Sequence, residues 1–283
     1  MKVTLIITVH NRLPMLRDIL LSVANQSKRV DRIIIADDGS EEDVASTIKE
    51  NLATVGVLVT HVRQPHEGFR AARSRNNAIR EAEEGLLIFA DQDLLFTRNY
   101  VETFIEHQQQ GSFLVGYPLR LDQQQTEQLS DEMVASYDYS SIVRPEQLQV
   151  IAKQYRKDRL YQWLHRWHLR RIGPKLRSGV FGAIKSDLEK VNGFDENYQG
   201  WGNEDDDLGW RLHAAGICGS NVFNTEYALH QYHAPFHVTG VKINKDYFEM
   251  RKQDARKGKY RCDKGLELKE RHHDDVAVVN YRP

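Results

Sequence analysis

Leu86-Leu87-Ile88-Phe89-Ala90-Asp91-Gln92-Asp93 decides the fold. Five apolar residues in a row, too few for a helix and closed by polar ones, read as a strand buried inside a sheet. Asp91 and Asp93 are spaced i, i+2, so both carboxylates leave the same side of an extended segment at the strand's carboxyl end. In open α/β sheets ligands sit outside those ends.

The same texture recurs toward the N-terminus. Apolar runs at 2–9, 32–36 and 55–62 alternate with helix-period segments at 13–25, 43–53 and 71–83. That βαβα order predicts a mostly parallel sheet with helices on both faces. Two further strands also end in polar residues, His10-Asn11-Arg12 and Asp37-Asp38-Gly39-Ser40. The three tips are expected to converge on one site.

The 283 residues suffice for one large domain or one domain with an appendage. Lys+Arg 39 against Asp+Glu 40 leaves a net charge of -1, so attraction of the whole chain to nucleic acid or anionic lipid is not expected, and any basic function must be local. Two cysteines, Cys218 and Cys262, allow neither a disulfide framework nor a CxxC metal site, and a reducing cytoplasm is the expected compartment. The run at 3–9 is too short for a secretory leader, and no stretch approaches the length of a membrane span. Membrane contact, if any, is expected to be peripheral.

Residues 122–146 are Gln-rich without clear period and read as a surface excursion. Residues 151–177 combine nine Lys and Arg with Tyr155, Tyr161, Trp163 and Trp167, a pattern suited to a basic amphipathic helix. Either its aromatics pack inward on a solvated helix, or it offers a surface to an anionic glycan or lipid head group. A strand at 179–184, a short helix at 185–191 and a Gly-punctuated loop at 193–202 follow. The tail is expected to be helical around 245–256 and otherwise loosely held.

Four motifs carry chemistry. Asp91-Gln92-Asp93 offers hard oxygen ligands suited to Mg²⁺ or Mn²⁺, against the plain alternative of a solvated Asx turn. Gly200-Trp201-Gly202-Asn203 leads into Glu204-Asp205-Asp206-Asp207. Asn203 can cap a helix whose first turn favours acids, yet four in a row exceed what capping requires. Crowding raises their pKa values and the helix terminus lowers them, so the sign is open. His230, His233 and His237 could lend imidazoles to a metal already held by carboxylate. His66 to Asn77 places a Gly turn before a helix bearing Arg70, Arg73 and Arg75, where a diphosphate could sit, or where arginines are simply solvated.

Taken together, these motifs resemble the inverting glycosyltransferases of family 2 with the GT-A fold, and the C-terminal half resembles galactosyltransferase-type and chondroitin-polymerase-type modules. The likeness spans 3–233, with residues 5–12, 35–40, 68–76 and 91–93 in the family's order, then Asn192-Gly193-Phe194, 200–207 and 230–233. It implies one GT-A domain: a nucleotide-sugar half at 1–120, an inserted polar and basic-aromatic segment at 121–177, an acceptor-side catalytic half at 178–240 and a helical tail at 241–283.

The resemblance also implies roles. Thr8, His10, Asn11 and Arg12 would border a uridine, Asp38 would read the base, and Arg70 or Arg75 would lie near base or phosphate. His10 stands where the family more usually has Tyr. Asp91, with Gln92 beside it, would meet the ribose, Asp93 would ligate Mn²⁺ or Mg²⁺, and His230 or His233 would add the imidazole. Trp201, Gly202 and Glu204 would line the donor and acceptor sugars, and Asp205 would be the catalytic base. The implied partners are a UDP-sugar and a glycan or lipid-linked glycan acceptor, with no nucleic acid. The expected setting is bacterial surface polysaccharide or lipopolysaccharide assembly in the cytoplasm at the inner face of the membrane. A retaining transferase on the same fold and a catalytically silent glycan- or nucleotide-sugar-binding module are the competing readings. A nucleotide-sugar pyrophosphorylase lacks its triphosphate loop here, and a dehydrogenase its GxGxxG turn.

Overall fold

In the computed structural model, which describes residues 1–234, 244–267 and 275–283, the chain opens β1 (Lys2–Val9), α1 (Leu13–Ala24), β2 (Arg32–Asp37), α2 (Val44–Val55), β3 (Leu58–Arg63), α3 (Ala71–Glu81) and β4 (Gly85–Asp91). It continues through β5 (Leu94–Phe96), α4 (Tyr100–His107), β6 (Ser112–Val115), β7 (Leu119–Arg120), α5 (Gln123–Glu127), α6 (Asp131–Ser136) and α7 (Pro145–Arg166). The rest is β8 (Val180–Ile184), α8 (Lys185–Lys190), α9 (Glu204–Ala214), β9 (Cys218–Asn221), β10 (Ala228–His230), α10 (Lys245–Arg256) and β11 (Ala277–Tyr281).

Successive side chains of β1 point to opposite faces, and both faces are covered. Leu5 and Ile7 pack with Leu16, Ile19 and Leu20 of α1 and Ile48 of α2. Ile6 packs on the other side with Ala78 and Ile79 of α3 and Leu208 and Leu212 of α9. Each fully buried Leu or Ile contributes about 1.5–3 kcal/mol, which holds the layers together. The main sheet has the order β11-β3-β2-β1-β4-β8-β6-β9. The runs β3-β2-β1-β4 and β6-β9 pair in parallel, while β8 and β11 run against their neighbours. The expected α/β class, a mostly parallel sheet with helices on both faces, is therefore what the chain adopts.

A three-stranded sheet, β5-β10-β7, closes over its own core of Leu95, Leu119, Val134, Tyr139, Ile142 and Ile151. This alters the reading of 122–146. The segment folds as α5 and α6, with Asp122 and Gln125 forming a capping box, and its buried Val134 roofs the small sheet. Its Gln-rich polarity hid its few inward residues, Val134, Tyr139 and Ile142.

Three more boundaries differ from expectation. Residue 55 belongs to α2 rather than to the next strand, because Val55 is buried on the helix face. The basic helix begins earlier than 151, at Pro145 in its first turn, and ends before 177, where His168 takes φ 58. Trp163 on that helix and Trp167 at its C-cap are exposed rather than packed inward. The tail is helical at 245–256 as expected, but 277–281 is no loose end: β11 pairs antiparallel with β3 from Tyr281↔Val59 to Ala277↔Arg63 and covers the sheet edge.

Candidate active site

The loops after β1, β2 and β4 do converge, and they are laced together by side chains. Asn11 donates its backbone N–H to Ser40 Oγ at 2.9 Å, and its side-chain oxygen accepts the N–H groups of Glu41 and Glu42 at 2.8 and 3.2 Å. Glu42 in turn accepts the N–H groups of Arg12 and Leu13 at 3.0 and 3.1 Å, serving the open start of α1, where an anion is favoured. Gln92 accepts the His10 N–H at 2.8 Å and donates to the Asn11 carbonyl at 2.7 Å. Asn11, Glu42 and Gln92 thus shape the floor of the site.

The His10 and His66 rings stack, with centroids 4.8 Å apart and 15° between planes. Both bring Nδ1 to the Asp38 carbonyl oxygen, at 3.2 and 3.3 Å. Gly39 makes this approach possible: its φ is +72°, and a Cβ there would stand 2.4 Å from the His66 nitrogen. Asp38 is buried, and its carboxylate accepts from Gln64 Nε2 at 2.6 Å and from the Arg70 N–H at 2.8 Å. Burial raises its pKa against those bonds. The Arg70 side chain lies against Glu67, 3.6 Å from its carboxylate.

Arg75, expected near base or phosphate, is instead committed to protein groups. From α3 it donates to Thr8 Oγ1 at 3.1 Å and to Asp91 Oδ1 at 3.0 Å, and its Nη1 lies 3.4 Å from Glu204 Oε1. This buried guanidinium ties β1, β4 and the start of α9 together. Burial raises the pKa of Asp91 while Arg75 opposes the shift. Gly179 leaves room for that carboxylate, since a Cβ would meet Asp91 Oδ2 at 2.6 Å.

Asp93 lies across from the histidines. The small sheet pairs His230 of β10 with Leu94 of β5, and the Gln231 N–H donates to the Asp93 carbonyl at 2.9 Å. His233 Nε2 is then 3.0 Å and His230 Nε2 3.6 Å from Asp93 Oδ2. Ligand atoms of the three all lie within 4.8 Å of one another. Asp93 Oδ1 is buried with no hydrogen-bond partner among the described residues, which is the expected state of an oxygen shaped for a cation. One carboxylate and two imidazoles fit Mn²⁺ better than Mg²⁺, which binds oxygen almost exclusively. Its hydrogen bond to Asp93 raises the pKa of His233. Both candidate histidines reach the site; His237 lies outside the described residues.

The acids that open α9 separate by partner. Glu204 faces Arg75, Asp206 lies 2.9 Å from Lys175 Nζ, and Asp207 is buried 2.6 Å from Arg211 Nε. Among the described residues, Asp205 alone of the four has no cation within ion-pair distance. Burial and the neighbouring Glu204 and Asp206 push its carboxyl up to about 7. The open sign from the sequence is thereby resolved upward. Asn203 does not cap with its side chain; it takes φ 75, and the helix end is left to the acids. Trp201 stands 70% exposed at the rim, and Asn244 braces the loop by donating to the Gln199 and Gly202 carbonyls, both at 3.0 Å.

His66, Gln64, Lys175 and Asn244 were not singled out in the sequence as site residues. Only His66 left a signal, standing two residues before the Gly68 turn that was.

The sequence pattern of Glycosyl transferase family 2 matches residues 4–170, and that described as the N-terminal domain of galactosyltransferase matches 158–234. Validoxylamine A glucosyltransferase of Streptomyces hygroscopicus subsp. jinggangensis is 27% identical over 87% of this chain and 60% of its own length. Chondroitin synthase of Escherichia coli is 24% identical over 81% of this chain and 34% of its own. Hyaluronan synthase of Pasteurella multocida is 28% identical over 81% and 24%. The chain thus spans 60% or less of the length of these relatives. Among solved structures, S. aureus TarS 1-349 in complex with UDP-GlcNAc superposes with a TM-score of 0.57 at 13% identity, over 94% of this chain and 68% of that one. GalNAc-T7 with UDP, GalNAc and Mn²⁺ also gives 0.57, at 15% identity, over 87% and 47%. The chain belongs to glycosyl transferase family 2 and has the GT-A fold.

Proposed function

We propose that this family 2 enzyme transfers a hexose or N-acetylhexosamine from a UDP-sugar to a hydroxyl of a glycan acceptor, with inversion at the anomeric carbon and dependence on a divalent metal, in bacterial surface polysaccharide or lipid-linked glycan assembly. The observation that carries the reading is Asp205, the one acid of its cluster with no cation within ion-pair distance among the described residues, poised by its surroundings near neutrality. A general base works best when its pKa lies near the working pH.

In this reading Asp205 takes the proton from the acceptor hydroxyl as that oxygen attacks the anomeric carbon and the bond to UDP breaks. Trp201 and Gly202 form the rim over which the acceptor enters. The stacked His10 and His66, with Asp38 beneath, receive the base, while Thr8, Asn11, Arg12, Arg70 and Gln92 frame the nucleoside pocket. Arg75 holds Asp91 and Glu204 in place, so that Asp91 can meet the ribose and Glu204 the sugar. Asp93, His230 and His233 would hold Mn²⁺, which when bound supplies Lewis-acid neutralisation of the departing diphosphate. The named ligands of the TarS and GalNAc-T7 structures support a UDP-sugar and Mn²⁺, and the synthases named above support a glycan acceptor.

The test is a panel of UDP-sugars with Mn²⁺ or EDTA, read by thermal shift and UDP release, followed by NMR of the product anomer. Metal-dependent stabilisation by one or two donors and an inverted anomer are expected. No response to any donor would point to a silent binding module, and a retained anomer would remove Asp205 from the base role.

A further inference from the structure

The outward face of α7 has no part in that reading. Leu160, Trp163 and Trp167, spaced to share one face of a helix, are 52%, 53% and 63% exposed, and Leu169 in the turn beyond is 69% exposed. The opposite face anchors the helix: Ile151 and Asp158 are buried, and Asp158 Oδ2 accepts from Asn221 Nδ2 at 2.9 Å.

Charge sharpens the contrast. Residues 151–177 hold nine Lys and Arg and a single acid, Asp158, which is buried. The segment's ion pairs among the described residues are Lys175 with Asp206 and Arg177 with Asp158. Among the described residues, Lys153, Arg156, Lys157, Arg159, Arg166 and Arg171 have no acidic partner within ion-pair distance. An apolar ridge with two tryptophans, flanked by cations, has the composition of a helix that lies in a membrane interface. No described helix is long and apolar enough to cross a membrane, so lying on the surface is the mode open to this one.

We propose that the outer face of α7 and the turn after it dock on an anionic lipid bilayer. The far end of the same segment touches the catalytic helix: Gly173 donates its N–H to His213 Nε2 at 3.1 Å, and Lys175 pairs with Asp206 beside Asp205. Docking would set the start of α9 beside the bilayer, where a lipid-linked acceptor ends. This last consequence rests on the proposed transferase reading; the docking does not.

The experiment is flotation of the full chain with vesicles of phosphatidylcholine alone or mixed with phosphatidylglycerol. Wild type is expected to float only with the anionic vesicles, and less so at high salt. Arg156, Lys157, Arg159 and Arg166 changed together to Gln should lower partitioning by roughly fivefold per cation removed. The double variant Trp163→Phe, Trp167→Phe keeps apolar contact but should lose most tryptophan quenching by doxyl-labelled lipid. Thermal shift with UDP and Mn²⁺ should be unchanged in both variants, which separates this proposal from the catalytic one. Equal flotation of wild type and the Gln variant would overturn it. So would a wild type that ignores vesicles yet binds a soluble anionic polysaccharide through these cations, which would make the face a glycan surface.

Discussion

His233 Nε2 lies 3.0 Å from Asp93 Oδ2, although 140 residues separate them in the chain. The antiparallel pairing of β10 with β5 brings them together, setting the histidine strand directly against the residues that follow Asp93.

Removing either partner should therefore cost the metal and spare the fold. Loss of a group that only orients a ligand costs about 10–100-fold in metal affinity, so loss of a ligand should cost at least that. Calorimetry of UDP with and without Mn²⁺ is expected to show a metal effect in wild type that Asp93→Ala abolishes and His233→Ala weakens. Unchanged titrations in both variants would dissolve the metal assignment.

Asp205→Asn is expected to lower turnover by about 10²–10⁴-fold, the usual worth of a positioned base, while UDP-sugar binding persists. The pH profile supplies the sign. A base must be ionised, and the Asp205 carboxyl sits at about 7, so wild-type turnover should fall as pH drops through about 7. The residual activity of the Asn variant should lack that limb. A variant with full turnover would clear Asp205 of the role.

The fold was legible because β1 and β4 are covered on both faces, and such strands spell themselves as unbroken apolar runs. The strand tips were legible for the same reason, since polarity returns where cover ends. Residue-level roles were harder to read. Nothing in the spacing of Arg75 told that its guanidinium would be closed in by Thr8, Asp91 and Glu204, from three elements brought together only by the folded sheet. The fate of the acid cluster was hidden likewise, because Lys175 and Arg211 reach it from different directions. The edge strand at 277–281 went unread because four successive side chains, Ala277 to Asn280, stay exposed, so its signal is the unpaired rim of β3 rather than a buried face of its own.

Arg75→Met should be among the most damaging substitutions to stability. It removes the cation between two carboxylates, and breaking a buried pair in this way costs about 3–5 kcal/mol because uncompensated charge remains. Adding Glu204→Gln should recover part of that loss by removing one of the stranded charges. Chemical denaturation of wild type, single and double variants measures the coupling. Strictly additive effects would mean that Arg75 and Glu204 do not share their energy.

The same Asp205→Asn substitution makes a further prediction, about stability. The folded-state pKa of Asp205 is raised from 3.8 to about 7, so folding favours the neutral form. Below about 4 both folded and unfolded chains hold the proton, and the acid costs the fold nothing. As pH rises from there the unfolded chain ionises first, and stability drains away until the folded group also ionises near 7. Asn carries no charge at any of these values. The variant's Tm should therefore match wild type near the acid end, pull ahead by a few degrees as pH climbs, and hold a constant lead above about 7. Thermal unfolding of the pair across that range cancels the titrations they share. A lead that never appears would mean that Asp205 ionises in the fold at no cost, and that the site does not hold its base near neutrality.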